Sequence, residues 1–343
     1  MTQLTQTTPT PQALANPLTE GAQRVRKYLQ AGKAANTRRA YASGVTGQPS
    51  TRAEKMRKFP TFAAFCDERG YTALPADAAT VVDYLTHLAD MGATVATIEQ
   101  RRAAIANAHK AQESNPCSGE LVKETMKGIR RERGIMAKPK AALSRDELRA
   151  VVAALPNTLR GKRDRALLLM GWAGAFRRSE LVALTVADVD VKRDRLTVTI
   201  QRSKTDQEGQ GLYKTLPTLP NDPALCPSKA YTAWIDAAGI NSGPIFRGIN
   251  RWGHVSADTE PMQGNEVARI VKAACKAANI DPRKFAGHSL RSGFVTEATN
   301  AGANDGDIME QTGHKSSATL RRYKQMAGRG AVRATLAAFG ETK

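Results

Sequence analysis

The chain has 343 residues, long enough for two domains of ordinary size that each bury a core, and its 51 Lys+Arg against 32 Asp+Glu leave a formal charge of +19. That charge favours a polyanionic partner, because each phosphate neutralised releases condensed counterions. Cys66, Cys117, Cys226 and Cys275 are scattered without a Cys-x-x-Cys pair or a nearby histidine cluster, so neither a zinc site nor a disulfide framework is indicated, and the longest apolar run, Ala166 to Phe176, is too short to span a bilayer.

Residues 1–20 are rich in Thr, Pro and Gln and lack the basic-then-apolar pattern of a signal peptide, which reads as a disordered tail. Gln23 to Leu29 and Asn36 to Ala42 have helical composition with basic faces, but Gly44, Gly47 and Pro49 interrupt them. Thr51 and Glu54 form a capping box ahead of Met56, Phe59, Phe62, Ala63 and Cys66, predicting a helix from Thr51 that kinks at Pro60. Asp77 to Met91 places Val81, Tyr84, Leu85 and Leu88 on one face and stops at Gly92. Thr94 then caps a helix through Lys110, apolar along Val95, Ile98, Ala104, Ile105 and Ala108, with Thr97, Gln100, Arg101 and Lys110 on its other face. After a basic helix from Gly119 to Arg133, residues 134–142 contain Pro139 flanked by Lys138 and Lys140 and read as a linker, dividing the chain into domains at 21–133 and 143–343.

The second domain opens with a Ser144/Glu147 capping box over Arg145 to Leu155, followed by a buried helix from Arg163 to Phe176. Val189 to Val191, a Lys192-Arg193-Asp194 turn and the alternating Leu196-Thr197-Val198-Thr199-Ile200 predict a hairpin, with Leu212 to Leu219 as a third strand. Helices follow at Pro227–Ala238, Asn265–Ala278, Ser289–Ala301, Asp305–Gln311 and Ser317–Tyr323, and a last short one runs from Gly330 to Phe339. The fold class is an all-α N-terminal domain and a mainly α C-terminal domain with a small antiparallel β-sheet. No Walker-type loop, paired acidic motif or zinc spacing is present, so neither a metal nor a cofactor is expected.

His288 and Arg291 stand three apart, on the same side of a helical turn, where both can face one small anion. Arg177 and Glu180 repeat that spacing. Lys204 sits in a polar, Gly-containing turn after the alternating strand, with Lys214 nearby as a competing lysine; His314 follows Gly313, and Tyr323 comes nine positions later. Two guanidiniums, an ammonium, two imidazoles and a phenol suit phosphoryl transfer without metal. Arg177 and Arg291 carry planar forks that keep their protons and can hold the non-bridging oxygens. Tyr323 is the candidate nucleophile, and because a phenol near pKa ~10 needs a base, His288 is assigned to accept its proton. His314 then donates to the phosphate, and Lys204 protonates the 5′-oxygen leaving group. Glu180 completes the catalytic set by orienting Arg177 or His288.

The order Arg177, Lys204, His288-x-x-Arg291, Gly313-His314, Tyr323 resembles the tyrosine recombinase (phage integrase) family, over roughly residues 50 to 340, and the N-terminal half resembles its Cre-like members. Phe62-Ala63-Ala64-Phe65-Cys66 is similar to the end of the first helix of their DNA clamp. Asn36-Thr37-Arg38-Arg39-Ala40-Tyr41 is also similar to the Thr-Arg-x-Tyr start of many members, so the residues before Thr51 are either an extension, which is favoured, or a displaced first helix. The resemblance implies an all-α core-binding (SAM-like) DNA-clamp domain at 21–133 and a catalytic domain at 143–343. It implies that the helix bearing Thr97, Gln100 and Arg101 enters the major groove, where Gln and Arg pair bidentately with base edges, and that Lys138 and Lys140 lie near phosphates; an ordinary solvated face is the alternative. It also implies a site-specific DNA recombinase of the cytoplasm, free of membrane and cofactor. That enzyme works through a 3′-phosphotyrosyl intermediate, as a homotetramer on two double-stranded DNA sites with inverted repeats, with helix 330–340 docking in trans. A topoisomerase of the same chemistry and a catalytically silent DNA-binding protein are the alternatives, the second disfavoured because no catalytic position is substituted.

Overall fold

The computed structural model describes residues 35–46, 59–112, 114–134, 140–201, 211–256, 261–314, 316–317 and 320–321. The chain divides into two compact units, Met1–Ala137 and Lys138–Lys343.

Among the described residues the first unit is helical: α1 (Ala35–Val45), α2 (Phe62–Arg69), α3 (Ala78–Asp90), α4 (Val95–Ala108) and α5 (Glu120–Arg133). Short polar side chains start these helices. Thr61 Oγ1 accepts from the Ala64 amide at 3.2 Å, Asp77 Oδ1 from Thr80 at 2.6 Å and Thr94 Oγ1 from Thr97 at 3.3 Å, each cap contributing about 1 kcal/mol. Residues 51–58 lie outside the described set, but Pro60 does not kink a helix: it precedes the Thr61 cap, so α2 starts after the proline. Gly44 does not interrupt α1 either. It is the contact point with α4, where a Cβ would stand 2.8 Å from Ala104 Cβ, and the helix continues to Val45. The helix expected through Lys110 ends at Ala108 and tightens into a 3₁₀ turn, His109–Ala111. Buried His109 fixes that end: its Nε2 accepts from the Ala76 amide at 2.9 Å, which leaves Nδ1–H to donate to Ile105 O at 2.9 Å. Phe62, Phe65, Tyr84, Leu85, Leu88, Ile98, Ile105 and Met126 fill the core.

The second unit contains α6 (Arg145–Ala153), α7 (Leu159–Ala173), α8 (Arg178–Ala183), β1 (Val189–Val191), β2 (Arg195–Ile200), β3 (Leu212–Pro217), α9 (Pro227–Ala238), α10 (Gly264–Ala277), α11 (His288–Asn300) and α12 (Asp305–Thr312). The three strands form one antiparallel sheet in the order β1-β2-β3, with Val198 opposite both Val189 and Lys214. The capping box is formed: Ser144 Oγ accepts from the Glu147 amide at 3.2 Å and Glu147 Oε2 from the Ser144 amide at 2.8 Å. The core helix starts earlier and stops earlier than expected, because Thr158 caps it and the chain turns at Gly174 and Ala175. Leu167, Leu168, Met170, Phe176, Trp234, Phe246, Val271 and Leu290 pack the centre of this unit. Val295, Ile308 and Leu320 form a smaller cluster between α11, α12 and the following residues.

The protein is thus mostly helical with one small antiparallel sheet. Cys66, Cys117, Cys226 and Cys275 are separate buried thiols. No helix among the described residues is long and apolar enough to cross a membrane. The helix expected at Gln23–Leu29 and that at Gly330–Phe339 lie outside the described residues; of Ser317–Tyr323, only Ser317, Leu320 and Arg321 are described as helical.

Candidate active site

The turn between α7 and α8, strand β3, the first turn of α11 and the end of α12 bring one cluster of charged and imidazole side chains together. Arg177 precedes α8 and has no side-chain oxygen to cap it, so Glu180 takes that task. Glu180 Oε2 accepts from the Arg177 amide at 2.9 Å, and Oε1 from Arg177 Nη1 at 2.6 Å. The Glu180 side chain is only 2% exposed, so its carboxylate leaves water in company with that guanidinium. Stripping one partner from such a buried pair costs roughly 3–5 kcal/mol, which makes the Arg177 geometry hard to relax.

Arg291 is 1% exposed, and its Nη1 donates to Ala175 O at 2.6 Å. Ala175 has φ 46, a left-handed conformation that costs a residue with a Cβ about 1–2 kcal/mol. The Arg291 bond therefore holds a strained turn two residues from Arg177. The first turn of α11 is fixed from outside the helix: Leu143 N donates to Ser289 O at 3.0 Å, Trp172 Nε1 to Leu143 O at 3.0 Å, and Ala286 N to Ser289 Oγ at 3.0 Å.

His288 opens α11 and keeps part of its surface in solvent. Partial burial of the ring, then the charges of Arg291, Arg178 and Arg177, hold its pKa below the ordinary histidine value. For His314, burial, then Arg291, Arg177, Lys214 and His288, push it down to about 4. Both rings are therefore neutral at pH 7. A neutral His288 can take up a proton. His314 Nδ1 lies 2.9 Å from Thr312 Oγ1, and that hydroxyl also reaches Ile308 O at 2.7 Å. Because the single hydroxyl proton goes to the Ile308 carbonyl, the Thr312 oxygen accepts from Nδ1–H, so the neutral ring presents Nε2 as an acceptor and donates from it only once protonated.

These depressed values make stability depend on pH. An unfolded histidine titrates near ~6.5, so between there and about 4 the unfolded chain binds the extra proton; stability is complete above that window and declines as pH falls through it. The DNA-free protein is expected to lose melting temperature from pH 7 down to pH 4.5, and His314→Gln to flatten the decline. Scanning calorimetry at several pH values checks this, and parallel curves for the two proteins would contradict it.

Of the residues expected from sequence, Arg177, Glu180, His288, Arg291 and His314 are brought together, whereas Lys204 and Tyr323 lie outside the described residues. The site also contains a residue that motif reasoning raised only as a competitor to Lys204. Lys214 is 1% exposed on β3, its Nζ donates to Gln311 O, and it lies 5.2 Å from the centroid of the Phe176 ring. Burial and the Arg291 charge, offset in part by Glu180, bring its pKa down to about 7, with Arg177 adding to the fall. The signal was present: Leu212, Lys214 and Leu216 alternate on one face of an amphipathic strand, so Lys214 occupies an apolar position. Gln311 carried no such signal, because its partners are backbone carbonyls distant in sequence. Among the described residues no group of three His, Cys, Asp or Glu side chains is placed to hold a metal ion.

In the first unit, Gln100 is exposed on α4, while Thr97 is partly buried and shares a 3.0 Å contact with the Thr94 hydroxyl. Arg101 Nη1 donates to Ser43 O at 2.8 Å, which commits part of its guanidinium to holding α1. Lys138 lies outside the described residues, and exposed Lys140 donates from Nζ to Arg283 O at 2.6 Å.

Known proteins are similar to this chain over most of its length. The model of the phage integrase family matches residues 141–328. The integrase/recombinase xerD homolog of Selenomonas ruminantium is 35% identical over 305 residues, which cover 88% of this chain and 84% of that protein. The recombinase cre of Escherichia phage P1 is 25% identical over 281 residues, 77% of this chain and 82% of the relative. Among solved structures, the XerH site-specific recombinase bound to palindromic difH substrate, in its post-cleavage complex, matches with TM-score 0.57 at 17% identity, covering 76% of this chain and 72% of that one. A lambda integrase dimer bound to a COC′ core site matches with TM-score 0.51 at 18% identity over 91% and 87%. At these identities the two structures speak for the fold alone, but the family match spans more than half of the chain and includes Arg177, Glu180, His288, Arg291, His314 and Tyr323, so the chain belongs to the phage integrase family of tyrosine recombinases.

Proposed function

We propose that this tyrosine recombinase cuts and rejoins DNA at specific sites through a 3′-phosphotyrosyl bond to Tyr323, with Arg177 and Arg291 holding the scissile phosphate. The observation that carries this reading is the buried Arg291, bonded to the turn that leads into the Arg177–Glu180 pair, with the charges of both arginines acting on two neutral imidazoles. Those groups can neutralise a phosphate and receive a phenol proton, and Lys204 supplies the leaving-group proton. The new ester is close in energy to the broken phosphodiester, so strands can be rejoined without ATP, and no step asks for a metal. Residues 21–133 serve as the core-binding, SAM-like clamp, residues 134–142 as the linker and 143–343 as the catalytic domain. Exposed Gln100 is the foremost base reader on α4, with Thr97 and Arg101 beside it and Lys138 and Lys140 near phosphates. The partner is double-stranded DNA with inverted repeats, bound in the cytoplasm by a homotetramer spanning two sites.

The test is a pool of nicked duplexes with randomised half-sites, incubated with the full-length protein in EDTA, denatured in SDS and sequenced from the protein-bound fraction. Recovery of one inverted-repeat sequence joined through its 3′-phosphate to Tyr323 supports the reading. A strict Mg²⁺ requirement for the adduct, or its absence, overturns it.

The tetramer rests on the C-terminal segment, where Val332, Leu336 and Phe339 repeat at helical spacing after Gly328 and Gly330. A helix this short needs a partner surface, and passing it to a neighbour closes a ring in which every protomer gives and receives one. Deleting residues 330–343 is expected to preserve single-site binding and weaken assembly on two-site DNA. Analytical ultracentrifugation showing an undiminished tetramer would exclude this segment as the connector.

A further inference from the structure

Gln311 lies in the last turn of α12 and has three polar contacts outside its helix, to two other segments of the site. Its Nε2 donates to Ala173 O at 2.8 Å and to Thr215 O at 3.0 Å, and its main-chain carbonyl accepts from Lys214 Nζ. Ala173 ends α7, four residues before Arg177. Lys214 and Thr215 belong to β3, the strand that begins eight positions after Lys204 in the chain. His314 stands three residues after Gln311. One side chain and one carbonyl thus join β3 to the segments that lead into Arg177 and His314.

Two further features make this junction tight. Gly313 closes α12 with φ 68, and a Cβ there would stand 2.7 Å from Leu212 Cδ2, so the helix end rests directly on the start of β3. Lys214 itself is an ammonium removed from water against one carbonyl and a ring face, on the apolar side of its strand. An apolar residue of similar volume would serve the fold as well or better. Stability therefore does not account for the charge.

We propose that Gln311 and Lys214 form a positioning clamp: Gln311 keeps the Arg177 turn, His314 and strand β3 in register, and Lys214 supplies a buried cation beside the arginines that is needed in full when a phosphate arrives. The clamp rests on the strand-transfer reading given above. The groups that face Lys214 are the Gln311 carbonyl and His314 at the end of α12, Phe176 and Arg177 from the α7–α8 turn, Glu180 from α8 and Arg291 from α11. With its pKa near 7, the Lys214 ammonium is partly discharged at neutral pH, and a phosphate anion favours its charged form. Cleavage starting from free protein should therefore fall as pH rises through that range.

The experiment uses full-length wild type, Lys214→Met and Gln311→Ala. In the DNA-free proteins, the His314 ring is titrated by NMR. Wild type is expected to titrate near 4 and Lys214→Met at a higher pH, because a neighbouring cation has gone; Gln311→Ala should also move the midpoint, since loss of the Nε2 bonds to Ala173 O and Thr215 O frees the end of α12, with the carbonyl that holds the ammonium, to shift against β3. On the nicked duplex recovered above, Lys214→Met should melt no lower than wild type yet cleave about a hundredfold more slowly, the scale of a misplaced reacting group, and lose the alkaline limb of the rate profile. A duplex with a 5′-bridging phosphorothiolate, whose sulfur leaves without a proton, should rescue Lys204→Ala but not Lys214→Met. Rescue of Lys214→Met would make that residue the acid and overturn the clamp, as would a wild-type rate and an intact alkaline limb. If wild type forms no adduct with any duplex, the strand-transfer reading fails by itself, and the His314 titration still decides: an unmoved midpoint in both variants overturns the clamp.

Discussion

Tyr323→Phe is expected to bind the DNA site as wild type does while losing the SDS-resistant protein–DNA species, a fall on the order of 10⁴-fold or more in cleavage rate, as for removal of an enzyme nucleophile. The change deletes only the attacking oxygen. Nine positions separate Tyr323 from His314, as the recombinase motif requires, and the two neutral imidazoles fit a site in which a phenol must give up its proton. The other tyrosines of the catalytic unit that come into question differ physically. Tyr231 is 4% exposed in the core, and burial raises its pKa, so it is a poor nucleophile without access to DNA. Tyr213 is 67% exposed on β3, on the strand face opposite Lys214. An adduct that persists in the Phe variant would therefore point to Tyr213, and peptide mapping of the labelled fragment would show it.

The parts of this protein that were legible in its sequence are those encoded locally. Asp77, Thr94 and Ser144 announced their helices because capping needs only a side-chain oxygen and an amide three residues on. The hairpin of β1 and β2 was legible from alternation, and His288 and Arg291 from their spacing on one turn. Boundaries failed where tertiary contact decides them. Gly44 reads as a breaker until Ala104 is seen against it, and Pro60 reads as a kink until Thr61 is seen to cap. Within the site, Arg177 and Glu180 were legible as a pair, but the reason Arg177 cannot drift was not: it depends on Ala175, a carbonyl contacted by an arginine 116 positions later. Lys214 and Gln311 escaped for the same reason, since a lysine on an apolar strand face gains meaning only with the arginines around it.

Arg291→Ala should be the most damaging change outside the nucleophile, and it acts through two separable effects. As a lost phosphate donor it should slow cleavage about 10²–10³-fold, the usual cost of removing one preorganised oxyanion contact. As a lost structural donor it leaves the Ala175 carbonyl unpaired in a buried turn, worth about 1–3 kcal/mol of stability, and releases a residue held at φ 46. Arg291→Lys restores charge but not the fork, and is expected to regain DNA affinity more than rate. The two effects part company in the double variant Arg291→Ala/Ala175→Gly. Glycine adopts the left-handed conformation without strain, so melting temperature should recover in part while the cleavage rate stays low. Single-turnover cleavage at saturating DNA, beside thermal melts of the same preparations, measures both. A rate that rose in step with the melting temperature would mean that Arg291 works by bracing the Arg177 turn; a rate that stayed down in a stabilised protein places its guanidinium on the phosphate.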